Sequence, residues 1–192
     1  MGPEIQNSKR VLRGQIREKL SAITEEQRAS ASAQARTLLA SQPRWQAAQS
    51  VLFFAPLPGE LDVWPLLSEA LAANKAVALP RFVAETNSYV ACAVRGSAQD
   101  LKTGQFGIRE PADHCARISL NRLDLILVPG LAFDVQGRRL GRGKGFYDRL
   151  LTALRGTTCG VAFDEQIVRE LPVEPPDVSV NCILTPTRWI EL

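Results

Sequence analysis

The chain has 192 residues, 45% of them hydrophobic, and a formal net charge of +3. That is enough apolar side chain for one substantial core, and no composition shift marks a second folding unit, so a single domain over residues 1–192 is expected. The basic residues do not spread along a face as is usual for a polyanion reader, the amino terminus lacks the apolar core of a signal peptide, and no apolar run reaches membrane-spanning length; neither nucleic acid nor membrane is therefore the expected partner.

In chain order, Ser8 is a candidate cap for a first helix in which Leu12, Ile16 and Leu20 recur every four residues and form an apolar stripe. Lys9, Arg13 and Arg17 share that spacing on a neighbouring face, which by helix patterning alone reads as a solvated basic stripe. Thr24 and Gln27 have the spacing of a capping box, so a second, Ala-rich helix opens there and stops before Pro43. Short apolar runs follow at Val51–Ala55, Ala76–Leu79, Tyr89–Val94, Leu123–Val128, Thr158–Phe163 and Cys182–Leu184, and each predicts a buried strand. Helical patterns cover Asp62–Ala72 and Gly145–Leu154, whereas Arg81–Ser88, Gly96–Arg117 and Arg169–Asp177 predict loops or irregular segments. This alternation predicts an α/β fold: a mostly parallel central sheet with helices on both faces.

Cys92, Cys115, Cys159 and Cys182 form no Cys-x-x-Cys pair, which argues against a zinc site or a redox centre and for core thiols in a reducing, cytoplasmic compartment. Met1-Gly2 begins like a myristoylation signal, but Gln6 stands where Ser or Thr is required. His114, the single histidine, falls in a polar loop and predicts a surface residue; no hydrolytic triad is suggested.

The densest chemical signal lies between Gly137 and Asp148, where Arg138, Arg139, Arg142 and Lys144 outnumber the single carboxylate and account for the entire net charge. Glycines let backbone N–H groups approach an anion, cations neutralise it, and a helix start adds its positive pole. The segment follows the predicted strand Leu123–Val128, at the carboxyl end where open α/β sheets bind ligands. Phe54–Asp62 also follows a strand and carries Glu60 and Asp62, so it is either a second wall of that cleft or an ordinary turn capped by Asp62. Gly143-Lys144 is followed by Gly145 rather than Ser or Thr, which excludes a Walker loop, and Gly141, Gly143 and Gly145 are spaced by two, which excludes the dinucleotide fingerprint. What remains is an N–H nest with Arg139, Arg142 and Lys144, and with Asp148 one turn into a helix, either holding Mg²⁺ or merely complementing the helix pole or pairing with Arg149 or Arg142.

The run Pro129-Gly130-Leu131-Ala132-Phe133-Asp134, then Gly137, then Arg139-Leu140-Gly141-Arg142-Gly143-Lys144-Gly145-Phe146-Tyr147-Asp148-Arg149 closely resembles the 5-formyltetrahydrofolate cyclo-ligase family. Weaker matches extend over the chain: Lys9–Arg13, Glu60, Leu79-Pro80-Arg81, Gly107-Ile108 with Glu110-Pro111, and Leu171-Pro172 with Asp177. The resemblance implies ATP-dependent, Mg²⁺-dependent conversion of 5-formyltetrahydrofolate to 5,10-methenyltetrahydrofolate with release of ADP and phosphate, by a monomer acting on small molecules.

Residue by residue, it puts ATP contacts on Lys9, Arg10, Val11, Leu12 and Arg13, and on Arg139, Leu140, Gly141, Arg142, Gly143, Lys144, Gly145, Phe146 and Tyr147, which replaces the solvated-stripe reading. Folate contacts would fall on Arg13, Ala55, Glu60, Arg142, Gly143, Lys144, Gly145 and Phe146. Phe54 and Tyr147 are assigned to flank the pterin, on aromatic character. Lys144, Arg142 and Tyr147 are the expected catalytic residues, and Asp148 and Asp177 the expected metal ligands. Asn181 departs from a common Asp and Phe146 from a common Tyr. Two other readings stay open: a catalytically silent nucleotide- or RNA-binding relative, and an enzyme of the sugar-phosphate isomerase kind on a similar scaffold.

Overall fold

The computed structural model describes residues 3–104, 107–143, 145–172 and 178–192. Lys144 and Asp177, two expected site residues, lie outside the described residues, as does the side chain of Phe146. The chain opens with helices α1 (Pro3–Ser21), α2 (Glu25–Ala40) and α3 (Pro43–Ala47), followed by strand β1 (Ser50–Leu52) and helix α4 (Pro65–Ala72). Strands β2 (Ala76–Val83), β3 (Ser88–Val94), β4 (Leu101–Thr103), β5 (Arg109–Pro111) and β6 (Arg117–Ile118) come next, then β7 (Leu125–Pro129), β8 (Ala132–Asp134) and β9 (Arg139–Leu140). Helix α5 (Phe146–Thr152) precedes β10 (Thr157–Val161), β11 (Ile167–Val168), β12 (Cys182–Leu184) and β13 (Trp189–Glu191).

The main sheet has the order β13-β12-β10-β7-β1-β2-β3-β6. Its centre, β12 to β2, is parallel, and antiparallel strands are added at both edges. Strand alternation sorts the core into two layers. Val51, Leu125, Leu127, Cys159 and Cys182 face Leu39 of α2, Trp45 of α3 and Leu66 of α4. Leu52, Ile126, Val128 and Ile183 point the other way, onto Leu150, Leu151 and Leu154 in and just after α5. The mostly parallel sheet with helices on both faces is thus present. All four cysteines are buried and free, as the core-thiol reading expects.

Several boundaries differ from those predicted. Ser8 lies inside α1, its Oγ donating to the Glu4 carbonyl at 3.0 Å rather than capping the helix. The Thr24–Gln27 capping box forms in both directions. Helix α4 begins at Pro65, not Asp62, because Pro is preorganised for the first helical position; Asp62 instead accepts the Trp64 N–H in the turn before it. The predicted loop Arg81–Ser88 is mostly hairpin, since β2 runs on to Val83 and pairs with β3. Gly96–Arg117 contains β4 and β5, paired antiparallel, and the start of β6.

A second, three-stranded sheet, β11-β8-β9, sits over the end of β7. Against its Leu131, Ala132 and Leu140, α1 buries Ile16, with Leu12 and Leu20 at the margin, so the apolar stripe docks α1 next to the glycine segment. The β8–β9 hairpin turns around Asp134, which is fully buried. Its Oδ1 accepts the Gln136 and Arg138 N–H groups at 3.0 Å, its Oδ2 accepts the Leu171 N–H at 2.9 Å, and Arg138 Nε lies 2.7 Å away.

Candidate functional site

A cavity of about 260 Å³ opens beyond the carboxyl ends of β1 and β7. These strands are neighbours, with β2 on the far side of β1 and β10 on the far side of β7, so the cavity sits at the topological switch point of the sheet. Phe54 and Ala55 enter it after β1, Pro129 and Gly130 at the end of β7, and Glu60 from the turn before α4. Arg139, Gly141, Arg142, Gly145, Tyr147 and Asp148 complete that side.

The glycine segment is not one uniform cradle. Gly137 is the turn glycine of the β8–β9 hairpin, at φ +78°, where an added Cβ would meet the Val180 carbonyl oxygen at 2.6 Å. Arg138 is committed to Asp134, and Leu140 is core. The part left for an anion begins at Gly141, where the chain leaves the sheet. Gly143 at φ +103° and Gly145 at φ +66° supply left-handed turns, and Gly145 caps α5.

Among the described residues, three contacts hold this loop. Arg13 of α1 donates from Nε to the Gly141 carbonyl at 3.0 Å. Arg142 donates from Nη2 and Nε to Glu60 Oε1, at 2.8 and 3.2 Å, while Glu60 Oε2 accepts the Leu57 N–H at 3.0 Å. Arg139, its side chain 4% exposed, pairs with Asp148 Oδ1 and donates to the Pro129 carbonyl at 3.3 Å, with its guanidinium 5.8 Å from the Tyr147 ring centre. The partner of Asp148 is therefore Arg139, rather than Arg142 or Arg149; Arg149 reaches instead to the Asn87 carbonyl at 2.8 Å.

Of the amino-terminal residues expected at the site, Lys9 is buried and Arg13 half-buried, so neither belongs to a solvated stripe. Arg10 and Val11 are exposed, with Arg10 bonded to Asn7, and Leu12 packs into the α1 interface. Tyr147 packs its ring 6.0 Å from that of Tyr89. Burial, reinforced by Glu60, pushes the Tyr147 hydroxyl well above the usual phenol range, so at neutral pH it is a hydrogen-bond donor rather than a base. Asn181, which departs from a common Asp, uses its Oδ1 to accept the Thr158 N–H and hydroxyl at 2.8 and 3.0 Å, tying the approach to β12 onto β10. His114 is exposed, as predicted.

Sequence reasoning missed the opposite wall. Pro80 from β2, Tyr89 from β3, and Ile108, Arg109 and Glu110 around the start of β5 all line the cavity. The Leu79-Pro80-Arg81, Gly107-Ile108 and Glu110-Pro111 matches touched it, but no periodicity marks strands as short as β4 and β5.

The 5-formyltetrahydrofolate cyclo-ligase family model matches residues 5–186. The chain belongs to this family. It is 34% identical over 177 residues to the 5-formyltetrahydrofolate cyclo-ligase of Escherichia coli K12, covering 90% of this chain and 97% of that protein. It is 28% identical over 191 residues to the cyclo-ligase of Mus musculus, with 94% of each chain covered. The solution structure of 5,10-methenyltetrahydrofolate synthetase from Aquifex aeolicus superposes with a TM-score of 0.86 at 36% identity, over 96% of this chain and 92% of that one. This chain thus shares the fold of that solved relative, and in it the cavity lies at the switch point of the sheet.

Proposed function

We propose that the protein converts 5-formyltetrahydrofolate to 5,10-methenyltetrahydrofolate, using ATP and Mg²⁺ and releasing ADP and phosphate. The observation that carries the reading is the pairing of Arg142 with Glu60 in the wall of one cavity, on a loop that Arg13 holds at Gly141, in a chain of the cyclo-ligase family. A formamide oxygen is a poor leaving group. Phosphorylating it creates an iminophosphate whose carbon N10 can attack, after which phosphate leaves with the former formyl oxygen. Such transfer needs positioning and charge neutralisation more than a protein nucleophile.

In this scheme Arg13 orders the loop from α1, and Arg142 and Lys144 neutralise the transferring phosphoryl group. Lys9 and the backbone of Gly141, Gly143 and Gly145 complete the ATP side, and Glu60 and Ala55 take the folate. Phe54 and the Tyr147–Tyr89 ring pair supply apolar walls for a flat heterocycle, and the Tyr147 hydroxyl donates a hydrogen bond. Mg²⁺ prefers one or two carboxylates together with substrate phosphates. Asp148, with a 30% exposed side chain beside the loop, fits that requirement, and Asp177 is proposed as its second carboxylate. The metal would screen the charge of the phosphates. We place the enzyme in the cytoplasm as a monomer; no helix among the described residues is long and apolar enough to cross a membrane.

The test is direct: ATP, Mg²⁺ and 5-formyltetrahydrofolate should yield the absorbance of the methenyl product. Turnover of a sugar phosphate without ATP would point to an isomerase-like enzyme, and tight, salt-sensitive RNA binding without turnover to a silent relative.

A further inference from the structure

Glu110 is a charged residue that the contacts above leave unused. It is 3% exposed, yet it lines the cavity. Its Oε2 accepts the Phe82 N–H at 3.2 Å, while Oε1 is buried with no hydrogen-bond partner among the described residues. The nearest cations are committed elsewhere: Arg81 Nη1 to the Ala112 carbonyl at 2.8 Å, and Lys102 Nζ to Asp113 Oδ1 at 2.5 Å. The backbone also makes room for this carboxyl, since a Cβ on Gly104 would collide with Glu110 Cδ. A buried acceptor left unpaired is expensive, and one that faces a cavity has the means to be satisfied by what enters it.

Around Glu110 the wall is apolar and aromatic: Pro80, Ile108 and Tyr89, with Tyr147 beyond. Glu60, by contrast, has both oxygens engaged, by Arg142 and by the Leu57 N–H. Of these two cavity carboxylates, Glu110 is the one with acceptor capacity to spare. The complementary ligand is a flat heterocycle with an edge of adjacent N–H donors. The aminopyrimidine edge of a reduced pterin has that pattern, with its exocyclic 2-amino group beside N3–H. Adenine offers one amino group flanked by an acceptor nitrogen, which a carboxylate would repel.

We propose that Glu110 is a specificity-determining residue that accepts the aminopyrimidine N–H donors of the folate through Oε1 and orients the pterin against Tyr89 and Tyr147. The assignment rests on the folate reading above. Burial pushes the Glu110 carboxyl above its ordinary range, with the Phe82 N–H opposing; a donor arriving at Oε1 favours the ionised form, so pterin binding and ionisation of Glu110 reinforce each other.

Calorimetry on the full chain tests the proposal, comparing the wild type with Glu110→Gln. The amide can still accept the Phe82 N–H, but it then presents N–H to the ligand where Oε1 accepted. Affinity for 5-formyltetrahydrofolate should fall on the order of 10- to 100-fold, the range for losing a hydrogen bond to a charged group, while that for a non-hydrolysable ATP analogue changes less than about twofold. Equal folate affinities, or a matching loss for the ATP analogue, would overturn it. A second measurement needs only the wild type: 5-formyl-2-desaminotetrahydrofolate should bind at least about tenfold more weakly than the parent folate, and equal binding would overturn the proposal even if the variant fails to fold. A wild type that binds the folate but forms no methenyl product with ATP would overturn the proposed activity alone, leaving the Glu110 comparison to be decided by the affinities. A wild type that does not bind the folate would overturn both.

Discussion

Arg13 and Gly141 are 128 residues apart in sequence, yet Arg13 Nε donates to the Gly141 carbonyl across 3.0 Å. The bond joins α1 to the point where the glycine loop leaves β9, so the docking of α1 through Ile16 onto Leu131 and Leu140 also sets the shape of the loop. A half-buried hydrogen bond from a guanidinium contributes about 1.5–3 kcal/mol.

Arg13→Ala should therefore raise the apparent KM for ATP by about tenfold or more, with a modest change in melting temperature. Steady-state kinetics at saturating folate read this out. An unchanged KM would show that the loop holds its shape without α1.

Asp148→Asn should weaken the apparent affinity for Mg²⁺ by roughly 10-fold or more, the scale seen when a metal site loses a supporting group. Because Asp148 also pairs with the nearly buried Arg139, some loss of stability is expected as well. A Mg²⁺ titration of activity run beside a thermal melt separates the roles: a lower melting temperature with an unaltered titration would reduce Asp148 to a partner of Arg139.

Asp134→Ala should be strongly destabilising, because one fully buried carboxylate holds three backbone N–H groups and Arg138. Removing it strands those donors and a charge, a loss of about 3–5 kcal/mol, or roughly 6–20 °C in a domain of this size. Differential scanning calorimetry checks the magnitude.

Acid stability should depend on Asp124. Its Oδ2 accepts the Ser50 hydroxyl and the Gln49 and Ser50 N–H groups, each at 2.9 Å, and these bonds, the Ser50 hydroxyl foremost, hold its carboxyl below the ordinary range. The folded state thus releases this proton more readily than the unfolded chain. The contribution is complete above the unfolded value, about 3.9, and is lost as pH falls through the lower folded one. Asp124→Asn should lower stability at neutral pH, and the gap from wild type should narrow below about pH 4; urea melts at pH 7 and pH 3 measure both.

How much was legible in sequence depended on the range of the signal. The capping box at Thr24 and Gln27 is local, and it formed as read. The strands β1, β7, β10 and β12 announced themselves because they are buried on both faces and so read as apolar runs, as do the buried stretches of β2 and β3. Even the cation excess between Gly137 and Asp148 was visible by counting.

What the sequence by itself determined, then, was the α/β alternation, the apolar stripe of α1, and the family motif with its concentration of glycine and positive charge. Tertiary structure decided which of those charges remain available and what faces them. It assigned Gly137 and Arg138 to a hairpin turn, paired Arg139 with Asp148, and set Glu60 against Arg142 across 82 positions. It also raised a wall from Pro80, Tyr89 and Glu110, residues that no local pattern links. Periodicity and capping report interactions within a few residues, whereas the partner of a buried charge is chosen by whichever distant segment the sheet order brings beside it.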